Sequence, residues 1–347
     1  MSSNIYHVAE RAGVSASTVS RALRGDRRIP EATRQRVERA ASHLNYVPRM
    51  AAQVLAGQGY RTLGMVLPHI EGTYYAELAV GFEMRASELD LSVVVLQANH
   101  HAAMSGAVRR LVGQCDGLAF LAKSAASDEL VAEVARTRPT LTVARTHMPG
   151  ITSIYAESAG PSQQLTAHLL ELGRRRLAFV GPVDPGSDIE ARHRGFGRAL
   201  TAAGLAVPEP ITVPMDEPAG RALARQLVEE DLPYDALVCG NDEIAVALVH
   251  ELQELGVAVP DDVAVVGWDD IRVSRYLRPG LTTVAQPLTE LGGLAAEHLH
   301  QLLQGQPVPE KTVLDTVLVH RQSCGCITAN HPPLQQRSNH SKGARTP

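Results

Sequence analysis

From Arg61 onward, short aliphatic and β-branched runs alternate with helix-length stretches, at 62–67, 91–96, 117–121, 140–144, 177–181, 236–240 and 263–268. Strands separated by helices of that length form parallel βαβ units with helices on both sheet faces. Seven or more such strands favour two α/β lobes over a single sheet. Polar turns follow several runs: Leu67-Pro68-His69, Gly181-Pro182, Gly240-Asn241-Asp242 and Trp268-Asp269-Asp270. Carboxyl ends of parallel strands line the ligand crevice, so these turns are expected to converge on one cleft between the lobes.

The first 60 residues have another texture. Ile5, Val8, Ala9 and Ala12 recur at helical spacing until Gly13 breaks the run. Ser15 suits the N-cap of a second helix, since its hydroxyl can accept a free backbone N–H. Val19, Ala22 and Leu23 form that helix's buried stripe, leaving Ala16, Ser17, Ser20, Arg21 and Arg24 mostly outward. A third helix follows Pro30, with Thr33, Val37, Ala40, Ala41 and Leu44 on one face. A small Ala9 at the crossing and Gly13 in the turn make this a helix-turn-helix, its second helix free for a major groove. Residues 45–60, with Pro48, Gly57 and Gly59 around a short helical piece at 51–56, are expected to be a linker.

Charge supports this division. The 347-residue chain has 33 Lys+Arg against 37 Asp+Glu, net −4, a total that speaks against a nucleic-acid partner. Residues 1–60, however, hold nine Arg and no Lys against four acids, a surplus of +5 that leaves −9 on the remainder. A basic head on an acidic body points to a polyanion partner at one end only. The hydrophobic fraction of 44% excludes a largely disordered chain. No run approaches 18 apolar residues, so no membrane span is expected. The N-terminus shows neither a basic n-region nor an apolar h-region, so the expected location is cytoplasmic, with the nucleoid. Four Cys fit a reduced protein. Cys324 and Cys326 flank a single Gly, which is not a metal-ligand spacing of the usual kind, and neither metal nor cofactor is expected.

The run Val8-Ala9-x3-Gly13-Val14-Ser15-x2-Thr18-Val19-Ser20-Arg21-x-Leu23, followed by Asn45-Tyr46-x-Pro48, closely resembles the lactose-repressor (LacI/GalR) family of bacterial transcription regulators. The resemblance continues through Ala52-Gln53-x-Leu55, Thr62-Leu63-Gly64-x-Val66-x-Pro68 and Tyr74-Tyr75-Ala76-Glu77-Leu78. It then passes through His168-Leu169-x-Glu171-Leu172-Gly173, Asn241-Asp242-Glu243-x-Ala245, Val266-Gly267-Trp268-Asp269-Asp270 and Pro279-x-Leu281-Thr282-Thr283-Val284. It implies an all-α helix-turn-helix headpiece at 1–48 and a hinge helix and linker at 49–60. An effector-binding and dimerisation core follows at 61–328, periplasmic-binding-protein-like with parallel sheets. The polar tail at 329–347 is expected to be disordered. The implied partners are double-stranded operator DNA, a small effector and a second copy of the chain, in a homodimer and in some members a tetramer.

The resemblance places Ala16, Ser17 and Arg21 at base-reading positions, with Ser15, Thr18, Ser20 and Arg24 beside them. Arg21 could clamp guanine O6 and N7 or merely touch phosphate. Ala52 and Leu55 fall on the hinge helix. Leu55 either wedges into the minor groove, as family hinge leucines do, or packs on the core. Tyr74, Arg192, Asn241 and Asp269 are implied to line the effector crevice. Their chemistry suits a polyol: an acid accepts from vicinal hydroxyls, a guanidinium donates in a fork, and an aromatic face packs against C–H groups. Trp268, the single Trp, is either a platform for the effector or a core residue. Ala144-Arg145, Ala156-Glu157 and His69-Ile70-Glu71-Gly72-Thr73 depart from the family's usual polar residues, so effector identity does not transfer. Arg145 and His69 are marginal cleft candidates.

An enzyme is not expected. Asp269-Asp270 would point to opposite sides of an extended segment, and no Walker loop, nucleophile triad or metal-ligand spacing accompanies them. A stand-alone sugar receptor is disfavoured by the Arg-rich helix-turn-helix. The expected function is a repressor released from a pseudo-palindromic operator by a sugar-like effector. A purine-type corepressor acting with reversed sign is the alternative.

Overall fold

The computed structural model describes residues 4–23, 26–46, 59–98, 104–122, 124–145 and 147–326. Arg24, Ala52 and Leu55, with the expected hinge helix and tail, lie outside them. The chain divides into two compact units, 1–62 and 63–347.

The first unit is built on α1 (Ile5–Ala12), α2 (Ala16–Leu23) and α3 (Glu31–His43), closed around Val8, Ala12, Val19, Ala22, Val37 and Ala40. Asn4 caps α1 by accepting the N–H groups of Tyr6 and His7. Gly13 ends it at φ 63°, a left-handed conformation that costs glycine least. Two residues later the Ser15 hydroxyl accepts the Thr18 N–H at 3.1 Å and starts α2. Cap, glycine and cap thus fix the angle between the two helices.

The second unit has two lobes. The amino-terminal lobe contains β1 (Thr62–Leu67), α4 (Thr73–Glu88), β2 (Ser92–Gln97), α5 (Met104–Val112), β3 (Gly117–Leu121), α6 (Asp128–Ala135), β4 (Thr140–Val143) and β5 (Thr152–Ala156). The carboxy-terminal lobe contains α7 (Ala159–Glu171), β6 (Leu177–Val180), α8 (Asp188–Ala202), α9 (Glu217–Glu229), β7 (Ala236–Cys239), α10 (Asp242–Glu254), β8 (Ala264–Val266) and β9 (Thr283–Ala285). The chain then returns with α11 (Leu288–Leu303) and β10 (Lys311–Leu314), and β11 (Val317–Val319) and a 3₁₀ turn (Gln322–Cys324) close the described residues. One sheet has the order β10-β5-β4-β3-β1-β2; the other is β6-β7-β8, with β11-β9 as a separate antiparallel pair. Strand β1 is buried throughout and pairs in parallel with β3, Leu63 opposite Gly117. Such continuous apolar runs are what a sheet covered on both faces requires.

The chain therefore crosses between lobes three times, after β5, after β9 and after β10. Two crossings are stitched together: the Glu157 N–H donates to the Leu314 carbonyl at 2.8 Å, and the Thr316 hydroxyl donates to the Glu157 carbonyl at 3.2 Å. Helix α11 seats against α4 through facing glycines. A Cβ on Gly81 would lie 1.9 Å from the Thr289 carbonyl oxygen, and one on Gly292 would lie 2.0 Å from that of Leu78. The backbones touch there, which no larger residue permits.

One local expectation needs correction. Residues 263–268 do not form a single extended segment. The strand covers only Ala264–Val266, and Asp269 and Asp270 follow with φ of 117° and 54°. The two acids diverge because the backbone bends there, not because a strand alternates.

Candidate functional site

Four strand ends and helix starts of the second unit meet in a cleft lined by His69, Tyr74, Tyr75, Arg192, Asn241 and Asp269, among others. Its enclosed volume is about 100 Å³. Sequence-predicted Tyr74, Arg192, Asn241, Asp269 and His69 thus come together. Tyr74 and Tyr75 open α4; their rings meet edge-to-face at 4.9 Å, and His69 meets Tyr75 the same way at 5.0 Å. The Tyr75 hydroxyl donates to the Ala122 carbonyl at 3.2 Å, anchoring this aromatic wall to the end of β3. Burial first, then nearby Asp188, pushes both phenols above their usual range, so they remain protonated hydroxyls.

Arg192 is the cation of the cleft. It is only 3% exposed, lies in α8 and forks between the Asp188 carboxylate, one helical turn earlier, and the Gly240 carbonyl. Its guanidinium carbon sits 4.5 Å above the Trp268 ring. Trp268 itself does not line the cleft: it is 1% exposed, a core residue supporting Arg192 from beneath. The Nε of Arg192 and the Nε1 of Trp268 are both buried without acceptors.

Asp269 and Asn241 complete the polar face. Asp269 accepts from Gln286 Nε2 at 2.6 Å; burial holds its carboxyl well above the ordinary carboxylate range, opposed by the Arg192 charge. Asn241 is the N-cap of α10, its Oδ1 accepting the Ile244 N–H at 3.0 Å while Nδ2 donates to the Met215 carbonyl at 3.1 Å. Its amide shapes the wall with both ends engaged. Neighbouring Asp242 is fully buried and holds the loop that carries Asp269. Its Oδ2 accepts from the Ile271 N–H and Ser274 hydroxyl, and its Oδ1 from the Thr283 hydroxyl. Burial still outweighs these bonds and pushes its carboxyl up to about 6.

Arg145 stands elsewhere. It lines a second cavity of about 430 Å³ that shares Asp188 with the first, and donates to Asp128 and the Ala126 carbonyl, bracing the loop before α6. Asp188, Glu243, Tyr75, Met215, Asp242 and Gln286 were not anticipated. Asp188 was accessible, since it lies four residues before Arg192 on one helix, the spacing of an ion pair. Nothing local marks Gln286. No metal-ligating cluster lies among the cleft residues; the His168, His320 and Cys326 group lies outside it.

In the first unit, Ser15 and Ser17 are exposed, while Ala16, Thr18, Ser20 and Arg21 are half-buried. The Ser15 hydroxyl bonds those of Ser17 and Thr18 at 2.8 and 2.9 Å. Arg21 Nε donates to the Ser17 carbonyl at 3.4 Å, laying the side chain along α2. Arg28, counted in the basic surplus, is forked onto Asp26; its hydrogen bonds hold that carboxyl down to about 2.

A helix-turn-helix unit joined in one chain to a two-lobed α/β core with a polar cleft defines a ligand-responsive DNA-binding regulator. Comparison with known proteins agrees. Residues 4–49 match the family model of bacterial regulatory proteins of the lacI family, and residues 166–324 match that of the periplasmic binding protein-like domain. The chain is 32% identical over 326 residues to the ribose operon repressor of Escherichia coli (strain K12), covering 91% of this chain and 98% of that protein. Its fold matches a crystal structure of the lac repressor dimer bound to operator and the anti-inducer ONPF, with a TM-score of 0.83, 29% identity, and 93% and 99% of the two chains covered. It also matches a complex of the transcriptional regulator CelR with cellobiose, with a TM-score of 0.68, 28% identity, and 92% and 99% covered. The chain belongs to the LacI family and is a DNA-binding transcriptional regulator.

Proposed function

We propose that the chain is a repressor which leaves its operator when a small uncharged sugar-like effector enters the interlobe cleft. The observation that carries this reading is the cleft's donor set: a buried guanidinium fork at Arg192, acceptor carboxyls at Asp188 and Asp269, and an aromatic wall at Tyr74 and Tyr75. Vicinal hydroxyls satisfy acceptors and donors together, and sugar C–H faces pack on rings. Three acids, Asp188, Glu243 and Asp269, stand against one Arg, so a phosphorylated sugar is disfavoured. These acids are binding groups rather than catalysts. The ribose operon repressor and the CelR–cellobiose complex support the sugar class.

Small-molecule sites usually span roughly 300–1,000 Å³, so a cleft of about 100 Å³ must widen to admit its ligand. Widening moves the three crossings between lobes. An effector that prefers one lobe arrangement shifts the population of DNA-competent dimers by its differential affinity.

The DNA-binding set is Ser15, Ala16, Ser17, Thr18, Ser20, Arg21 and Arg24 of the headpiece, with Ala52 and Leu55 of the 49–60 hinge. Exposed Val80 and Met84, one turn apart on α4, supply an apolar face for a second copy of the chain; the lac repressor dimer supports that partner. A cytoplasmic site of action, at the nucleoid, follows from the DNA partner, and no helix among the described residues is long and apolar enough to cross a membrane.

An operator-shift assay with panels of free sugars, sugar phosphates and nucleobases tests the proposal. Release by a neutral sugar is the expected outcome. DNA binding that requires a nucleobase would replace it with the corepressor reading.

A further inference from the structure

Away from the cleft, on the carboxy-terminal lobe, the fold brings His168 onto three potential ligands clustered at 320–326. His168 lies in the last turn of α7, His320 directly follows β11, and Cys324 and Cys326 bracket Gly325 in the final described turn. One ligand atom each from His168, His320 and Cys326 falls within a mutual 4.8 Å. Cys324 Sγ is 3.5 Å from His168 Nε2 and 3.0 Å from Cys326 Sγ. The two imidazoles meet edge-on at 4.3 Å.

We propose that His168, His320, Cys324 and Cys326 form a four-coordinate zinc site that clasps the segment after β11 to α7.

The distances carry the assignment. Zinc bonds of about 2.3 Å to sulfur and 2.0–2.1 Å to nitrogen give a tetrahedron with edges of about 3.4–3.8 Å. The Cys324–His168 separation of 3.5 Å already has that length. The sulfurs, 3.0 Å apart, need to part by about 0.8 Å, and the His168, His320 and Cys326 atoms, within 4.8 Å of one another, need to draw in by about 1 Å, with exposed His320 turning toward Cys324. Two thiolates and two neutral imidazoles are the donor set of closed structural zinc sites, and soft sulfur ligands disfavour magnesium or calcium.

The surroundings are built as well. The Thr282 hydroxyl lies 3.2 Å from Cys324 Sγ, where it can donate to the thiolate of the loaded site. Ser323, between the ligands, accepts the Thr282 N–H at 2.8 Å and donates to the Val265 carbonyl at 2.6 Å, fixing the turn against β8. Gly325 takes φ 94°, which lets Cys326 fold back over Cys324. Cys324 is fully buried and His320 exposed, so the ion has an entry side.

The Cys324 and Cys326 thiols both donate to the Arg321 carbonyl, at 3.3 and 3.0 Å, which holds the two sulfurs on one side of the turn. Loading balances as one zinc dication in and two thiol protons out. A metal was not expected from the sequence, because Cys-x-Cys is not a usual ligand spacing, even with His320 four residues before it. His168 arrives through tertiary structure alone.

The test uses full-length protein without a polyhistidine tag, purified under reducing conditions and reconstituted with zinc or cobalt. One zinc per protomer is expected. The cobalt form should show thiolate charge-transfer bands and the intense visible bands of tetrahedral coordination, and chelation should lower the melting temperature. His320→Ala and Cys326→Ser should each lose stoichiometric metal and the cobalt spectrum while keeping the wild-type circular dichroism. His320 is exposed, so its loss leaves the fold intact. A wild-type protein that takes up no metal overturns the proposal, as does a cobalt spectrum unchanged in both variants. A Cys324–Cys326 disulfide that persists under reductant and excludes metal overturns it too.

Discussion

Gln286 Nε2 donates to Asp269 Oδ1 across 2.6 Å, joining the acid on the cleft wall to the crossing between β9 and α11. Gln286→Ala leaves Asp269 without this donor. A hydrogen bond is worth about 0.5–1.5 kcal/mol, so effector affinity should fall severalfold, up to about tenfold. Operator affinity in the absence of effector should change little. Titrating operator release against sugar concentration checks this; an unshifted release curve would remove Gln286 from the coupling.

Arg192 and Trp268 provide an optical report. The indole is the chain's single Trp and lies 4.5 Å beneath the guanidinium. Effector that draws Arg192 from Asp188 should change the intrinsic fluorescence in a saturable way. Arg192→Leu should abolish both that response and effector release, a loss of about 100-fold or more in affinity if the fork contributes about 3 kcal/mol. Circular dichroism and a melting curve establish that the variant is folded.

Asp242 makes stability depend on pH. Its carboxyl titrates near 3.8 in the unfolded chain and at about 6 in the fold. Between those values the folded state holds more protons, so the contribution is fully present below pH 4 and lost as pH rises through 6. The rise corresponds to about 3 kcal/mol at most. Asp242→Asn should therefore gain on the wild type as pH increases from 4 to 7, whatever its offset from disturbed hydrogen bonds. Urea melts across that window measure the difference; parallel stability curves would show that the carboxylate is not penalised by burial.

The headpiece proposal makes Arg21 the residue that sets base choice in each operator half-site. A bidentate contact to guanine is worth about 1–3 kcal/mol of discrimination. Selection from random duplexes should show Arg21→Ala losing preference at one position per half-site while retaining most salt-dependent affinity. An unchanged preference at every position would reassign Arg21 to phosphate.

How much of this was legible from residues alone depended on the range of the interaction. Gly13, Ser15 and the Val8–Val19 core stripe act within a few residues, and the headpiece could be read from them. Seven strands were recognisable as apolar or β-branched runs; six of them are buried, while β2 is largely half-exposed and owes its run to Val and Leu alone. Strand β5 and the short strands β9, β10 and β11 carry no such run. At the cleft, Tyr74, Arg192, Asn241 and Asp269 were found through family resemblance, whereas Gln286 was not, because its role exists only once β9 has been placed beside Asp269. Trp268 was ambiguous for a related reason: composition cannot say whether a ring next to an acid faces the ligand or supports the residue that does. The bend at Asp269 was hidden because left-handed backbone at two consecutive Asp has no simple sequence mark.

The return of α11 and β10 to the first lobe has a consequence for biosynthesis. The sheet that begins with residue 62 gains its edge strand only from residues 311–314, and α4 waits for α11 to cover its glycine face. A ribosome must therefore extrude nearly the whole polypeptide before the lobe made first can close. The lobe encoded in the middle has its three-stranded sheet complete by residue 266. That lobe still takes Val284, Leu318 and Cys324 into its core, so both lobes wait on the last part of the chain. A product terminated before residue 288 would expose the apolar interior of the amino-terminal lobe to aggregation or proteolysis.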